Sequence, residues 1–125
     1  MERDSKFLKS AAHFLVPDVI KASEFYRDKL GFDILGYFGD PPIFVMVSRG
    51  NIEIHMSQIK SAIKKASDFQ SLPCDLYIWV TEIDALHQEL KKNNVEILEG
   101  PVQRVYDCIE IVVKDLNGYV LVFGG

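Results

Sequence analysis

The sequence predicts an α+β domain in which a β-α-β-β-β module occurs twice in tandem. Residues 28–35 (DKLGFDIL) and 92–98 (KNNVEIL) both lead from an amphipathic run through Gly or Asn into alternating apolar and acidic residues. A short apolar run precedes each amphipathic run, and further strand-like runs follow it, separated by turn-forming residues at positions 49–51 and 115–118. One module cannot cover its own sheet, so we expect the two to form a curved, partly open mixed β-barrel with the helices outside.

The first module begins with a short apolar strand, residues 11–16, which ends at Pro17. Asp18 then has the side chain and the position of a helix N-cap. In residues 19–30 the apolar side chains fall on one helical stripe and the charged side chains lie opposite, and Gly31 is expected to end the helix at the C′ position. Three strands complete the module, and the last two form a hairpin.

A polar segment separates the two modules. Its scattered apolar residues predict a linker that carries a short helix around residues 61–69. The expected single domain therefore spans residues 8–125, with module one at 8–57, the linker at 58–73 and module two at 74–125.

The second module repeats the plan of the first. A strand that starts near residue 74 leads to Thr81, which is predicted to cap the second helix, with Asp84 in the capping-box position. The apolar stripe of that helix consists of Ile83, Leu86 and Leu90. A short strand, residues 95–98, is expected to turn at residues 99–101 and to be followed by the two closing strands.

Composition and charge narrow the functional classes. The 125 residues are 48% hydrophobic and 26% charged, which suits a single domain with a real core. A net charge of −4 argues against a nucleic-acid surface, and no apolar run is long enough for a membrane span or a signal peptide. Cys74 and Cys108 lack the spacing of a metal or redox pair, so we expect two reduced thiols in a cytoplasmic protein.

Two stretches carry a family resemblance. They are FLVPDVIKASEFYRDKLGFDIL (residues 14–35) and VYDCIEIVVKDLNGYVL (residues 105–121). With them the chain resembles the vicinal oxygen chelate superfamily, which holds glyoxalase I, bleomycin-resistance proteins and extradiol dioxygenases. The resemblance covers the chain from residue 11 onward and implies the glyoxalase/bleomycin-resistance fold. Many reactions run on this scaffold, so the resemblance does not fix the chemistry.

Side chains alternate between the two faces of a strand, so the face that lines the cavity follows from the sequence. In the first strand Phe14 and Val16 should pack under the helix while His13 points inward. In three later strands the inward residues are Glu53 and His55, then Asp75, Tyr77 and Trp79, then Val120 and Val122. Further lining candidates are Phe44, Met46 and Tyr106. Glu110 matches the Glu of the family's closing pattern, and its direction stays open.

The resemblance also bears on a metal site. Metal-dependent members of the superfamily place His or Glu at four inward positions, which correspond here to Ala11, Glu53 or His55, Asp75 and Val122. Alanine and valine cannot ligate a metal, so we expect no cofactor. A displaced set of His13, His55 or Glu53, and Asp75 remains an alternative, since its nitrogen and oxygen ligands suit zinc, nickel or iron.

Purely structural roles are open to the same residues. His13 fits a hydrogen-bonded inward histidine, Asp75 fits a cap at the entry of its strand, and Tyr77 and Trp79 fit core aromatics. Aromatic walls with a few polar anchors are equally what a ligand pocket needs.

Three functions are compatible with these residues. The first is a metal-free binding protein of the bleomycin-resistance type, which sequesters an aromatic or cationic small molecule in a cavity between the modules. The second is a metal-dependent lyase, isomerase or dioxygenase with the displaced site, and the third is a structural or regulatory module. We favour the first, as a homodimer that covers its free sheet edges. Its ligand-binding residues are then His13, Phe44, Glu53, His55, Asp75, Tyr77, Trp79, Tyr106 and Glu110.

Overall fold

The computed structural model of the chain describes residues 2–125 and contains the two predicted modules in tandem. The first consists of β1 (Ala11–Val16), α1 (Val19–Leu30), β2 (Asp33–Phe38), β3 (Phe44–Arg49) and β4 (Ile52–Gln58). The second consists of β5 (Leu76–Trp79), α2 (Ile83–Lys92), β6 (Glu96–Arg104), β7 (Cys108–Lys114) and β8 (Val120–Gly124). Neither helix of this described range is long and apolar enough to cross a membrane.

Each module forms one four-stranded mixed sheet, and both sheets have the same strand order. The order is β1-β4-β3-β2 in the first sheet and β5-β8-β7-β6 in the second. β1 pairs in parallel with β4, as β5 does with β8, and the other neighbours are antiparallel. Across residues 2–125 the sheets do not close into one barrel. The tandem β-α-β-β-β plan and the open, mixed architecture are confirmed.

The ends of α1 form as the sequence predicts. Asp18 Oδ1 accepts hydrogen bonds from the backbone N–H groups of Ile20 and Lys21, each at 3.0 Å. These bonds satisfy donors that a helix N-terminus would otherwise leave free. Gly31 has a φ of 70°, a left-handed conformation that glycine adopts without steric cost. The two residues therefore fix where α1 begins and where it ends.

The start of α2 differs from the prediction. Its N-cap is Glu82 rather than Thr81, with a φ of 53° and no capping hydrogen bond from its side chain. The capping box of Thr81 and Asp84 does not form, because the helix begins at Ile83, one residue too late for Thr81 to reach the required amide. The linker helix is also shorter than expected, since only Ala66–Phe69 forms a 3-10 turn.

β6 is longer than the sequence predicts. The expected turn at residues 99–101 is absent from this described segment, and the strand continues through it to Arg104 with two register shifts against β7. Gly100 has a φ of 101°, and a Cβ there would collide with the carbonyl oxygen of Glu110. Glycine therefore permits a bulge at this point, and the chain reverses at residues 105–107 instead.

The helix-facing sides of both sheets contribute to one hydrophobic core. Its largest fully buried side chains include Tyr26, Leu30, Ile54, Met56, Leu90, Ile111 and Leu121. Across the module boundary the ring of Phe14 stacks on that of Tyr119, with centroids 4.1 Å apart. The Tyr119 hydroxyl accepts a hydrogen bond from the Leu15 N–H at 3.0 Å and donates one to the Leu15 C=O at 2.6 Å. Alternate side chains of each strand point away from this common core, onto two open faces.

Candidate functional site

The open face of the second sheet carries a depression of about 620 Å³, formed entirely by the second half of the chain. Val112 and Val122 form an apolar floor, against which Cys74 and Tyr77 pack, and Leu98 lines one side. A depression of this volume can hold a small organic ligand.

A buried carboxylate lines this depression. Glu110 is only 4% exposed, although the sequence left its direction open. It accepts hydrogen bonds from the hydroxyls of Tyr77 and Tyr106, both at 2.6 Å, and from Arg104 Nε at 2.8 Å. Burial by itself raises the pKa of this carboxyl, but the hydrogen bonds outweigh burial and bring the pKa below its ordinary value. Glu110 is therefore ionised at neutral pH.

The two phenols that contact Glu110 stay protonated. Hydrogen bonds to Cys108 and then to Glu110 raise the pKa of Tyr77, and the hydrogen bond to Glu110 raises the pKa of Tyr106. The Tyr77 oxygen also lies 3.5 Å from Cys108 Sγ. Because each hydroxyl proton is directed at the carboxylate, the remaining lone pairs of the phenol oxygens are available as acceptors.

Arg104 connects the buried carboxylate to a more exposed one. Its Nη2 donates to Glu99 Oε1 at 2.6 Å, while its Nε donates to Glu110. These hydrogen bonds, the one to Glu99 first, raise the pKa of the guanidinium, which therefore remains charged. With two carboxylates and one guanidinium, the cluster carries more negative than positive charge at neutral pH.

Two glycines make the arrangement around Glu110 sterically feasible. A Cβ on Gly124 would overlap the hydroxyl of Tyr77 and would lie 3.0 Å from Cys108 Sγ. Only glycine therefore lets the Tyr77 ring cross β8 to reach the carboxylate. On the opposite side Gly100 allows β6 to approach the backbone of Glu110 closely.

Trp79 stands beside the depression with most of its surface free. The residue is 77% exposed, and its ring centroid lies 4.7 Å from that of Tyr77 at an interplanar angle of 51°. Trp79 also borders a groove of about 590 Å³ between the modules, where Arg49 donates to both carboxylate oxygens of Glu89 at 2.7 and 3.0 Å. Trp79 is thus a surface aromatic rather than a core residue.

Other predicted polar residues lie on the open face of the first sheet. His13 Nε2 lies 2.7 Å from Ser57 Oγ, and His55 Nε2 lies 2.5 Å from Glu53 Oε2. Phe44 meets both imidazoles edge-on, with ring centroids 6.1 and 5.5 Å away. The hydrogen bond to His55 is the largest of the causes that lower the pKa of Glu53.

The sheet registers show which residues are equivalent in the two modules. His13 lies six residues before the start of α1, and Tyr77 lies six before the start of α2. β1 pairs His13 with His55, and β5 pairs Tyr77 with Val122. Within the repeat His55 is therefore the counterpart of Val122, whereas Glu53 pairs with the first residue of β1.

Asp75 lies apart from the histidines. Its Oδ1 accepts from the Ser67 N–H at 2.9 Å, and its Oδ2 accepts from the Ser67 hydroxyl at 2.6 Å and from the Val120 N–H at 2.8 Å. These bonds tie the linker turn to the start of β8, the capping role that the sequence left open. Within residues 2–125 no three His, Cys, Asp or Glu side chains form a metal-binding group, so one chain does not assemble the displaced set of His13, His55 and Asp75.

The structure divides the predicted ligand-binding residues between two faces. The first face holds His13, Phe44, Glu53 and His55. The second holds Tyr77, Trp79, Tyr106 and Glu110. Among the side chains described, no hydrogen bond or aromatic contact joins the two groups. A single chain therefore does not build the expected cavity from these residues, because its modules pack through their helix-facing sides.

Arg104 and Gly124 belong to the site although no sequence pattern points to either residue. A turn at residues 99–101 would end the strand before Arg104. In the structure β6 continues to Arg104, which pairs with Cys108 of β7. The residues next to Gly124 in the sequence do not indicate its role, because that role depends on the approach of Tyr77 from another strand.

A family model described as the Glyoxalase/Bleomycin resistance protein/Dioxygenase superfamily matches residues 10–123. The chain belongs to this superfamily. Metallothiol transferase FosB of Staphylococcus epidermidis is 32% identical to it, over 86% of this chain and 76% of that protein. Metallothiol transferase FosB of Staphylococcus haemolyticus is 29% identical, with the same coverage.

Solved structures share the superfamily fold at lower sequence identity. TioX from Micromonospora sp. ML1 gives a TM-score of 0.76 at 14% identity and covers 94% of this chain and 98% of that one. A superfamily member from Sphaerobacter thermophilus DSM 20745 gives 0.70 at 17% identity and covers 95% and 97%. These matches confirm the vicinal oxygen chelate fold that the sequence motifs imply.

Proposed function

We propose that the protein binds a small cationic aromatic molecule, without a metal ion, in the depression on the second sheet. The observation that carries this proposal is the ionised carboxylate of Glu110, buried beneath aromatic and apolar side chains. A charge held in a partly dry site attracts an opposite charge more strongly than the same charge in water. Membership of the superfamily supports the scaffold and leaves the ligand open.

Aromatic side chains in and beside the depression favour a flat ligand. The exposed ring of Trp79 offers a free stacking face beside Tyr77. An aromatic face attracts a cation by about 0.5–2 kcal/mol, depending on how far the pair is removed from water. The excess negative charge of Glu99 and Glu110 over Arg104 acts in the same direction.

A metal ion does not fit the positions that the resemblance assigns to ligands. The name metallothiol transferase implies a metal in the FosB relatives. In this chain Ala11 and Val122 have no donor side-chain atoms, and the oxygens of Asp75 are engaged by Ser67 and by the Val120 N–H. The proposed binding accordingly involves the chain's own side chains alone.

A second copy of the chain is the proposed cover of the depression. Hydrophobic side chains remain exposed on both open faces, including Trp79, Leu98 and Tyr106 on the second sheet and Leu15 and Phe38 on the first. In a two-fold dimer the first sheet of one copy can face the second sheet of the other. His13 and His55 would then lie opposite Glu110, which unites the two groups of predicted residues.

Titration calorimetry with a charged ligand and its neutral analogue tests the proposal. 2-Naphthylmethylammonium should bind saturably, and 2-naphthylmethanol, which has the same ring but no charge, should bind about tenfold more weakly. Glu110→Gln should reduce the preference, and Glu24→Gln, which removes an exposed carboxylate of α1, is the matched control. Equal affinities for the two ligands, or no binding of either, would contradict the proposal.

Metal-dependent thiol transfer is a second candidate function, favoured by the 32% identity to FosB. It would need ligands other than Ala11 and Val122. His13 and His55 are candidates, because their ring centroids lie 6.5 Å apart. Protein treated with a chelator should then gain thermal stability when zinc, nickel or iron is added back. An unchanged melting temperature with all three metals would argue against this candidate.

A further inference from the structure

We propose that the preferred ligand is a cation that carries N–H groups, and that the oxygens of Tyr77 and Tyr106 receive them in place of a carboxylate. The inference rests on the proposed function, because it specifies the ligand class of the same depression. It predicts discrimination against quaternary ammonium ions, which carry the same charge without a donor.

The carboxylate of Glu110 is already covered by its own partners. Both phenols donate to Oε2, and Arg104 donates to Oε1. Glu110 is only 4% exposed, so a ligand in the depression contacts mainly the side chains around the carboxylate, both phenols among them. The negative charge therefore acts on the ligand through the groups that surround it.

The phenol oxygens become the acceptors of the depression. A hydroxyl has one proton and two lone pairs, and the proton of each phenol is committed to Glu110 at 2.6 Å. A hydroxyl that donates to an ionised acceptor is polarised, and its oxygen becomes a better acceptor. Tyr77 and Tyr106 thus present electron-rich oxygens in the depression that Glu110 anchors.

Three of the five N–H groups of Arg104 are engaged by carboxylates. Arg104 uses Nε for Glu110 and Nη2 for Glu99, and its Nη1 lies 3.4 Å from the second oxygen of Glu99. The Cys108 thiol is a weak donor and lies near the Tyr77 oxygen. A ligand with N–H groups matches the free lone pairs of the two phenol oxygens.

A quaternary ammonium ion would leave these acceptors unpaired. Its methyl groups would displace water from the phenol oxygens and return no hydrogen bond. Sites built around such polar groups reject analogues that lack the matching group more strongly than apolar pockets reject a change of size. We expect a preference of about tenfold or more for the N–H cation.

Titration calorimetry with 2-naphthylmethylammonium and its N,N,N-trimethyl analogue tests this inference. The wild-type protein should bind the primary ammonium about tenfold more tightly or better, and Tyr106→Phe and Tyr77→Phe should each narrow that ratio. Tyr106 is 61% exposed, so its replacement leaves the core intact even where Tyr77→Phe disturbs the fold. Tyr37→Phe, which removes a hydroxyl bonded to Ser23 in the first module, is the matched control and should leave the ratio unchanged.

The outcomes separate this inference from the proposed function. If both cations bind equally and the neutral naphthylmethanol binds weakly, the depression is a cation site and the N–H inference is wrong. If the ratio survives in both tyrosine variants, the phenols are not the acceptors. If neither cation binds, the proposed function and the inference fail together.

Discussion

The hydroxyl of Tyr26 on α1 donates a hydrogen bond of 2.6 Å to Asp115 Oδ2, between β7 and β8 of the other module. Asp115 Oδ1 also accepts from the backbone N–H groups of Asn117 and Tyr119, each at 2.9 Å. Burial is the largest of the causes that raise the pKa of Tyr26 and of Asp115. This buried polar contact joins the modules close to the stacked rings of Phe14 and Tyr119.

Tyr26→Phe should lower the free energy of unfolding by about 1–3 kcal/mol, because it deprives a buried carboxylate of one partner while keeping the aromatic ring. Urea denaturation followed by circular dichroism measures the change. Tyr37→Phe, which removes a less buried hydrogen bond to Ser23, is the control and should cost less. Equal losses in the two variants would show that the Tyr26–Asp115 bond contributes no more than a partly exposed one.

The contribution of Glu110 to stability should disappear in acid. Its folded-state pKa lies below the ordinary value of 4.5, so the ionised carboxylate stabilises the fold at higher pH. That stabilisation is lost as the pH falls through the folded-state pKa. The difference in free energy of unfolding between wild type and Glu110→Gln should therefore be largest near neutral pH and should shrink in acid.

Urea denaturation over a series of pH values measures that difference. Glu24→Gln supplies the baseline for loss of an exposed carboxylate. A difference that grows on acidification would contradict the sign of the pKa shift of Glu110.

Gly124→Ala should weaken ligand binding and reduce stability. The new methyl group would overlap the hydroxyl of Tyr77, so the ring must move away from Glu110. Overpacking of this kind costs about 1–3 kcal/mol. Gly36→Ala is the matched control in the other module, since a Cβ at Gly36 meets no atom within 4 Å. Calorimetric titration and urea denaturation of both variants measure the effects, and a Gly124→Ala protein with normal binding would show that Tyr77 does not need its present position.

Purified protein should contain no stoichiometric transition metal, because Ala11 and Val122 stand at two expected ligand positions and Asp75 is engaged elsewhere. Elemental analysis after gel filtration checks this expectation. About one zinc, nickel or iron per chain, lost in a His55→Ala variant, would overturn it.

Light scattering at micromolar concentration should give twice the chain mass of 14.2 kDa. Phe38→Asp should shift the protein toward the monomer, because Phe38 is an exposed aromatic on the open face of the first sheet. Phe7→Asp changes an exposed phenylalanine outside both sheets and should leave the mass unchanged. A monomer mass for the wild-type protein would show that a second copy of the chain does not cover the depression.

The direction of side chains could be predicted from the sequence because it is a local property. Strand alternation places His13, His55 and Tyr77 opposite the core residues of the same strands, as the burial of Phe14 and Ile78 shows. The N-cap Asp18 and the left-handed Gly31 are equally local. The helix-end residues and the alternation of side chains along the strands are therefore enough to predict the two modules and their open faces.

The assembly of the candidate site was decided by tertiary contacts. The salt bridge between Arg104 and Glu110 depends on β6 continuing through a bulge. The composition of residues 99–101 predicts a turn there instead. Asp75 accepts a hydrogen bond from Ser67 of the linker, and no periodic pattern in the sequence predicts this contact. The sequence alone determined the direction of the side chains on the regularly alternating strands, though not that of Glu110. The packing of the helix-facing sides determined that the two polar faces lie apart, because that packing is a contact between distant parts of the chain.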